Sequence, residues 1–274
     1  MTFTESELVW HTHEDIELMA VHYAPDEPSN SWLIDVHGGA WSSGHRKSGR
    51  YYNRELAALG HHVFAIDFRQ GPDHKHPDGS ADVAHAVRYV RSQFNPGYLG
   101  LVGSSSGGHL ALLAGLFPDI EAHQDKEDDT DTTVDSIIAL WPVSNPLARF
   151  QYVNYWRQQP SDTWGPRFAP DRLYDGHLAY FGDTEAMVDA TLQLKLANVT
   201  FEAPPRVMVV QPELDLNVPV HMSETLAGAL LAAGVDTDYE VYPGVAHGFA
   251  HVEGEQTARC IQNMHRFLQA DNQS

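Results

Sequence analysis

Short runs of β-branched and apolar residues alternate along this chain with longer stretches whose apolar positions recur at helical spacing. That alternation is the pattern of a mostly parallel sheet joined by crossover helices. Residues 31–36 read as a strand ending at His37-Gly38-Gly39, residues 51–59 as a helix stopped by Gly60, and residues 62–67 as the next strand. Over 80–94 the spacing of Val83, Ala86, Val87 and Val90 predicts one helical face, broken by Asn95-Pro96-Gly97. Residues 98–102 form a strand running straight into Gly103-Ser104-Ser105-Ser106-Gly107, and residues 110–116 are apolar enough to be a buried helix. Beyond these, 136–143, 206–211 and 237–242 read as strands, and 222–233 and 253–268 as helices.

Two stretches depart from the pattern. From 119 to 135 there are eight carboxylates and a single Lys, which reads as a solvated loop; the spacing is too irregular for a calcium site. Residues 144–203 do not read as a simple β-α unit, and they hold Phe150, Tyr152, Tyr155, Trp156, Trp164, Phe168, Tyr174, Tyr180 and Phe181. We read them as a lid inserted over the sheet edge of a single α/β domain spanning 1–274.

Composition narrows the function classes. The 274 residues carry 37 acidic against 17 basic side chains, a formal charge of -20, which repels nucleic-acid phosphates and anionic membrane surfaces. Neither nucleic acid nor membrane is expected as a partner, and the same charge tilts the substrate expectation toward neutral molecules. A single cysteine, Cys260, rules out an intramolecular disulfide; with no basic and apolar leader over residues 1–15, a cytoplasmic protein is expected. The 17 histidines are expected mostly at the surface. His11/His13 and His74/His76 lack a third ligand nearby in sequence, so they read as exposed loop residues and no metal is expected. Oligomeric state is left open, a homodimer included.

The chemistry-bearing residues fall at strand ends. Ser105 is the centre of G-x-S-x-G where a strand meets a helix, a turn that lifts the hydroxyl clear of the sheet and aims the helix N-terminus at it. A serine needs a base and an acid to orient that base. His247, in Gly244-Val245-Ala246-His247-Gly248-Phe249, follows the last strand, and Asp215 follows the one before, so both fall at the carboxyl ends of parallel strands with Ser105. Glu213, two residues earlier, is the alternative acid, although alternation along the strand end turns it to the other side. His37-Gly38-Gly39-Ala40-Trp41 offers backbone N–H groups for an oxyanion hole, joined by that of Ser106.

Through these motifs, with Gly108-His109, Val218-Pro219 and His247-Gly248-Phe249, the chain resembles the hormone-sensitive-lipase and carboxylesterase branch of the α/β-hydrolase fold over about residues 15–270. Its H-G-G-x-W form resembles arylformamidases and feruloyl-esterase-like members. The segment Asp67-Phe68-Arg69-Gln70-Gly71-Pro72-Asp73 is only loosely similar to the stretch that braces the oxyanion loop in that branch. The resemblance implies an α/β-hydrolase fold and a serine esterase acting through an acyl-enzyme. Ser105 is then the nucleophile, His247 the base and Asp215 its orienting acid, the N–H groups of Gly39, Ala40 and Ser106 hold the oxyanion, and no metal or organic cofactor is needed. The implied partner is a small or medium ester, or an activated amide such as N-formylkynurenine; a non-catalytic small-molecule receptor on the same fold is the remaining alternative. Trp41, Phe249 and Trp156 are expected to line the substrate pocket.

Overall fold

The computed structural model describes residues 2–27, 29–125, 128, 130–165 and 168–269. Lys126, Glu127 and Asp129 of the acidic run, and residues 166, 167 and 270–274, lie outside the described residues. Eight strands form one sheet: β1 (Phe3–His13), β2 (Ile16–Pro25), β3 (Ser31–Val36), β4 (His62–Ile66), β5 (Tyr98–Ser104), β6 (Ser136–Leu140), β7 (Arg206–Pro212) and β8 (Thr237–Tyr242). Their spatial order is β1-β2-β4-β3-β5-β6-β7-β8; β1 and β2 pair antiparallel, β2 pairs antiparallel with β4, and every other pairing is parallel.

Inner strands read as continuous apolar runs because both faces are covered. Ile34, Leu101, Ile137 and Val209 face one cluster, while Leu33, Val102, Ile138 and Val210 face the other, the period-2 alternation of a pleated strand. The first cluster is closed by α2 (Asp78–Phe94), α3 (Ser106–Leu116) and α8 (Val220–Ala232), the second by α1 (Arg50–Ala58) and α9 (Glu255–Gln269). All eleven residues of α3 are buried, as its all-round apolarity requires.

β1 and β2 were not foreseen. In β1 only Trp10 is buried, so an edge strand that packs little side-chain surface leaves little apolar signal in its sequence. The strand read over 136–143 stops at Leu140, since Trp141 turns to a φ of 40° and leaves the ladder. The histidines also depart from expectation: His37, His61, His109, His123 and His177 are buried, and among the 17 only His45 and His221 are exposed. His11 and His13 lie on β1, where His11 packs on His85 with ring centroids 4.0 Å apart, and the His76 side chain is 8% exposed against Asp189.

Between β6 and β7 run α4 (Pro146–Arg157), α5 (Pro170–Phe181), α6 (Thr184–Asp189) and α7 (Leu192–Leu196). Their apolar residues, Val153, Leu173, Tyr180 and Phe181 among them, join the first core cluster, so this segment is packed onto the body of the sheet. Among the described residues, no helix is long and apolar enough to cross a membrane.

Candidate active site

Ser105 sits between β5 and α3 with φ 55° and ψ -117°, a conformation L-residues avoid and one that projects its hydroxyl from the sheet edge. The turn is over-determined by its surroundings. Ser105 N–H donates to the Leu140 carbonyl at 2.8 Å, and its own carbonyl accepts from Val143 N–H at 3.1 Å. Gly107 must be glycine for space: a Cβ there would lie 2.0 Å from the Val36 carbonyl oxygen.

His247 and Asp215 arrive from the loops after β8 and β7. The Ser105 hydroxyl donates to His247 Nε2 at 3.2 Å, and His247 Nδ1 donates to Asp215 Oδ2 at 2.7 Å. Oδ1 of Asp215 accepts from the N–H groups of Asn217 and Val218 at 2.8 and 2.9 Å, which fixes the carboxylate's plane. Glu213 is exposed and accepts from Gly244 N–H at 2.8 Å, so Asp215 is the acid brought to the imidazole. A hydroxyl against an imidazole that is itself held by a buried carboxylate is an arrangement able to generate a nucleophile.

The loop after β3 runs beside this hydroxyl. Gly39 (φ 135°), Ala40 (φ 54°) and Trp41 (φ 59°) turn it sharply, and a Cβ on Gly39 would lie 1.8 Å from the Ser43 carbonyl oxygen. The Ser43 hydroxyl donates to the Gly39 carbonyl at 2.7 Å, and Gly38 N–H to Ser104 Oγ at 3.1 Å. Among the described residues, the N–H groups of Gly39, Ala40 and Ser106 donate to no protein acceptor. They are therefore available to an oxygen that gains negative charge.

The stretch 67–73 braces this loop despite its loose resemblance: Gly71 N–H donates to the Trp41 carbonyl at 3.0 Å, and Phe68 stacks on His37 with centroids 4.4 Å apart. Burial holds the His37 imidazole down to about 4, so it is neutral and donates through Nδ1 to the Gly38 carbonyl at 2.7 Å. His109, pushed down to about 3 by burial, accepts from Trp41 Nε1–H at 3.2 Å and donates from Nε2 to the Ala190 carbonyl at 2.9 Å. One neutral ring thus ties the loop after β3, the helix after Ser105 and the 144–203 segment together.

The three expected pocket residues are corrected. Trp41 is fully buried, its ring stacked on Tyr180 with centroids 5.8 Å apart. Phe249 is buried in the second core cluster against Trp141 and Tyr242. Trp156 packs with Tyr152, Tyr155 and Phe168 at the outer side of α4. None of the three lines the cavity at Ser105, which measures about 520 Å³ and is walled by Gly38, Gly39, Ala40, Trp141, Arg149, Arg172, Leu173, Asn217, His247, His251 and Val252, among others. Such a volume suits a small organic ligand. The signal for Arg149 was present: Pro146, Arg149 and Val153 are the buried positions of α4, so the arginine occupies a core position of the helical stripe.

A second cavity, of about 570 Å³, lies at the far end of α3 between Leu116, Phe117, Val134, Val199 and Phe201, and among the described residues no serine, histidine or cysteine lines it. Among the described residues, no group of three His, Cys, Asp or Glu side chains could hold a metal ion.

Comparison with known proteins accords with this architecture. Esterase LipC of Mycobacterium tuberculosis is 28% identical over 249 residues, 86% of this chain but 57% of that protein, so the chain spans little more than half of that relative's length. A kynurenine formamidase of Meyerozyma guilliermondii is 31% identical over 114 residues, 40% of this chain and 42% of that enzyme. Among solved structures, a thermophilic esterase of Thermogutta terrifontis with propionate bound superposes with a TM-score of 0.74 at 22% identity, covering 96% of this chain and 93% of that one, a likeness of fold. A family model of the alpha/beta hydrolase fold matches residues 33–251, well over half of the sequence, and the chain belongs to that family.

Proposed function

We propose that this chain is a serine hydrolase of small to medium carboxylic esters, with Ser105, His247 and Asp215 as its catalytic triad. The observation that carries the reading is the run of two hydrogen bonds from the Ser105 hydroxyl through His247 to Asp215. In the first half-reaction His247 Nε2 takes the Ser105 proton as Oγ bonds to the ester carbonyl carbon. The carbonyl oxygen gains charge and is met by the N–H groups of Gly39, Ala40 and Ser106. The tetrahedral carbon then expels the alcohol, which takes the proton back from His247. Water repeats the sequence on the acyl-enzyme, releasing the acid and free Ser105. Residues 144–203 act as a cap, since Arg149, Arg172 and Leu173 from α4 and α5 wall the cavity. The names of esterase relatives support the same reading.

An arylformamidase is the second reading, supported by the partial similarity to a kynurenine formamidase. Both are tested with the recombinant chain and its Ser105→Ala variant on 4-nitrophenyl butyrate, N-formylkynurenine and a fluorophosphonate probe. The expected result is labelling and ester hydrolysis by wild type, with kcat lowered by about 10^4- to 10^6-fold and no labelling in Ser105→Ala. Faster turnover of the formamide would select the second reading. No labelling and no turnover would leave a non-catalytic receptor.

A further inference from the structure

The cavity over Ser105 has a charge opposite to that of the molecule. In a chain of net charge -20, its walls carry, among the described residues, two guanidinium groups, Arg149 and Arg172, and no Asp or Glu. Arg149 is 1% exposed. Its Nε donates to the Asn217 carbonyl at 2.8 Å, while Nη1 is buried without a protein partner. Among the described residues it forms no ion pair. The acid closest to hand, Asp215, has both oxygens committed, one to two backbone N–H groups and the other to His247. A buried cation with an unused donor is costly to a fold unless an anion or acceptor completes it. Burial brings the Arg149 guanidinium down to about 10, which leaves it charged at neutral pH. Arg172, on the first turn of α5, is exposed and also unpaired among the described residues, so it adds positive potential at the rim.

We infer that Arg149, with Arg172 at the rim, forms a carboxylate subsite, so that the preferred substrates are short esters carrying a carboxylate in their acid or alcohol part. The inference rests on the serine-esterase reading and specifies its substrate class. It reverses the expectation of neutral substrates, because the acidic surface acts over a distance that salt screens, whereas the subsite acts within the cavity. The carboxylate takes no part in bond making. It holds the ester in place while the ester C–O bond breaks and water supplies the hydroxyl of the released acid and the proton of the alcohol.

The competing account makes Arg149 a brace for the loop that carries Asp215, through its bond to the Asn217 carbonyl. Two matched pairs of substrates separate the accounts: monomethyl glutarate against methyl pentanoate for the acid side, and 4-acetoxybutanoate against pentyl acetate for the alcohol side, followed by pH-stat titration. In wild type, kcat/KM for the anionic member of one pair should exceed that of its neutral partner about tenfold or more, and which pair responds locates the carboxylate. Arg149→Met should lower that ratio about tenfold or more, the range of a charge-assisted hydrogen bond. Arg172→Ala, a surface change, should lower it two- to fivefold, an effect that added salt erodes. A brace alone predicts that Arg149→Met slows both members equally, and an unchanged ratio would overturn the subsite. Neutral esters preferred in both pairs by wild type would overturn it too, with the esterase reading intact. Failure to turn over any of the four, without fluorophosphonate labelling, would bring down the esterase reading and the subsite with it. Should Arg149→Met not fold, wild type decides alone, and an anionic-to-neutral kcat/KM ratio near one or below in both pairs would be the overturning result.

Discussion

The floor and the wall of the candidate site are built in different ways. The floor is set by the backbone: Ser105, Asp215, His247 and the Gly39–Ala40 turn each follow a parallel strand, and positive φ angles at Ser105, Gly39 and Ala40 place the hydroxyl and the loop's N–H groups. The wall is side chain: Arg149, Arg172 and Leu173 reach the cavity from helices of the 144–203 segment. The two are coupled by the hydrogen bonds of Trp41 and His109, which reach Ala190 at the end of α6, and by those of Arg149 and Tyr152 to the Asn217 and Leu216 carbonyls in the loop that carries Asp215. A floor set by strand ends admits little variation in its residues, whereas a wall of projecting side chains can change its chemistry without disturbing the turn at Ser105.

The sharpest test of this division is at the floor. Asp215→Asn should lower kcat by about 10^3- to 10^4-fold, because an amide there favours the wrong tautomer of His247, while Glu213→Gln should stay within about twofold. Steady-state kinetics of the two variants on one ester measures both, and comparable losses would show that the acid is misassigned.

Acid should act on floor and wall together. Burial holds His22, His37, His61, His123 and His251 down to about 4 and His109 to about 3. The unfolded chain binds protons at these sites near pH 6.5 and the folded chain does not, so stability is full above about 6.5 and falls as the pH drops toward 4. Each histidine contributes at most about 1.4 kcal/mol per pH unit over that interval. Asp35, buried against Tyr52 and Asn53 and pushed up to about 6, works in the opposite sense and offsets about one of them. Urea midpoints should therefore decline steeply between pH 6.5 and 4.5; a flat profile would mean that these rings are solvated in solution.

The smallest effect tests where the wall ends. Trp156 touches Tyr152 and Phe168 and not the cavity, so Trp156→Leu should change KM for a short ester less than twofold, while thermal unfolding registers the lost packing. A large change in KM with an unaltered melting temperature would place Trp156 in the substrate path.

Much of the parallel sheet could be read in advance, since strands β3 to β7 bury both faces and carry largely apolar runs bounded by Gly and Pro, while the edge strand β8 buries only Tyr242 and shows through its β-branched and aromatic residues before Pro243-Gly244. β1 escaped because an edge strand with one buried side chain has almost no hydrophobic signature. The residues that meet at Ser105 were legible for a related reason: each stands in a short local motif at a strand end, and parallel topology gathers all strand ends on one edge. Trp41 and Phe249 point away from the cavity, and adjacency in sequence to a loop of the candidate site does not tell which way a ring points. The turn at φ 59° drives Trp41 into the core, and the helical turn at 249–251 directs Phe249 toward Trp141.

The sequence by itself thus determined the parallel strands β3 to β8, the order of their motifs and the chemical kinds gathered at their ends, because periodicity and turn geometry are local properties of the chain. Only the tertiary structure decided what surrounds the hydroxyl: that His109 is a neutral bridge, that Asp215 and not Glu213 faces His247, and that a chain of charge -20 lines this cavity, among the described residues, with two arginines and no carboxylate. Those outcomes depend on which side chains meet across tens of residues, and on how much water burial removes from each, quantities that no local pattern encodes.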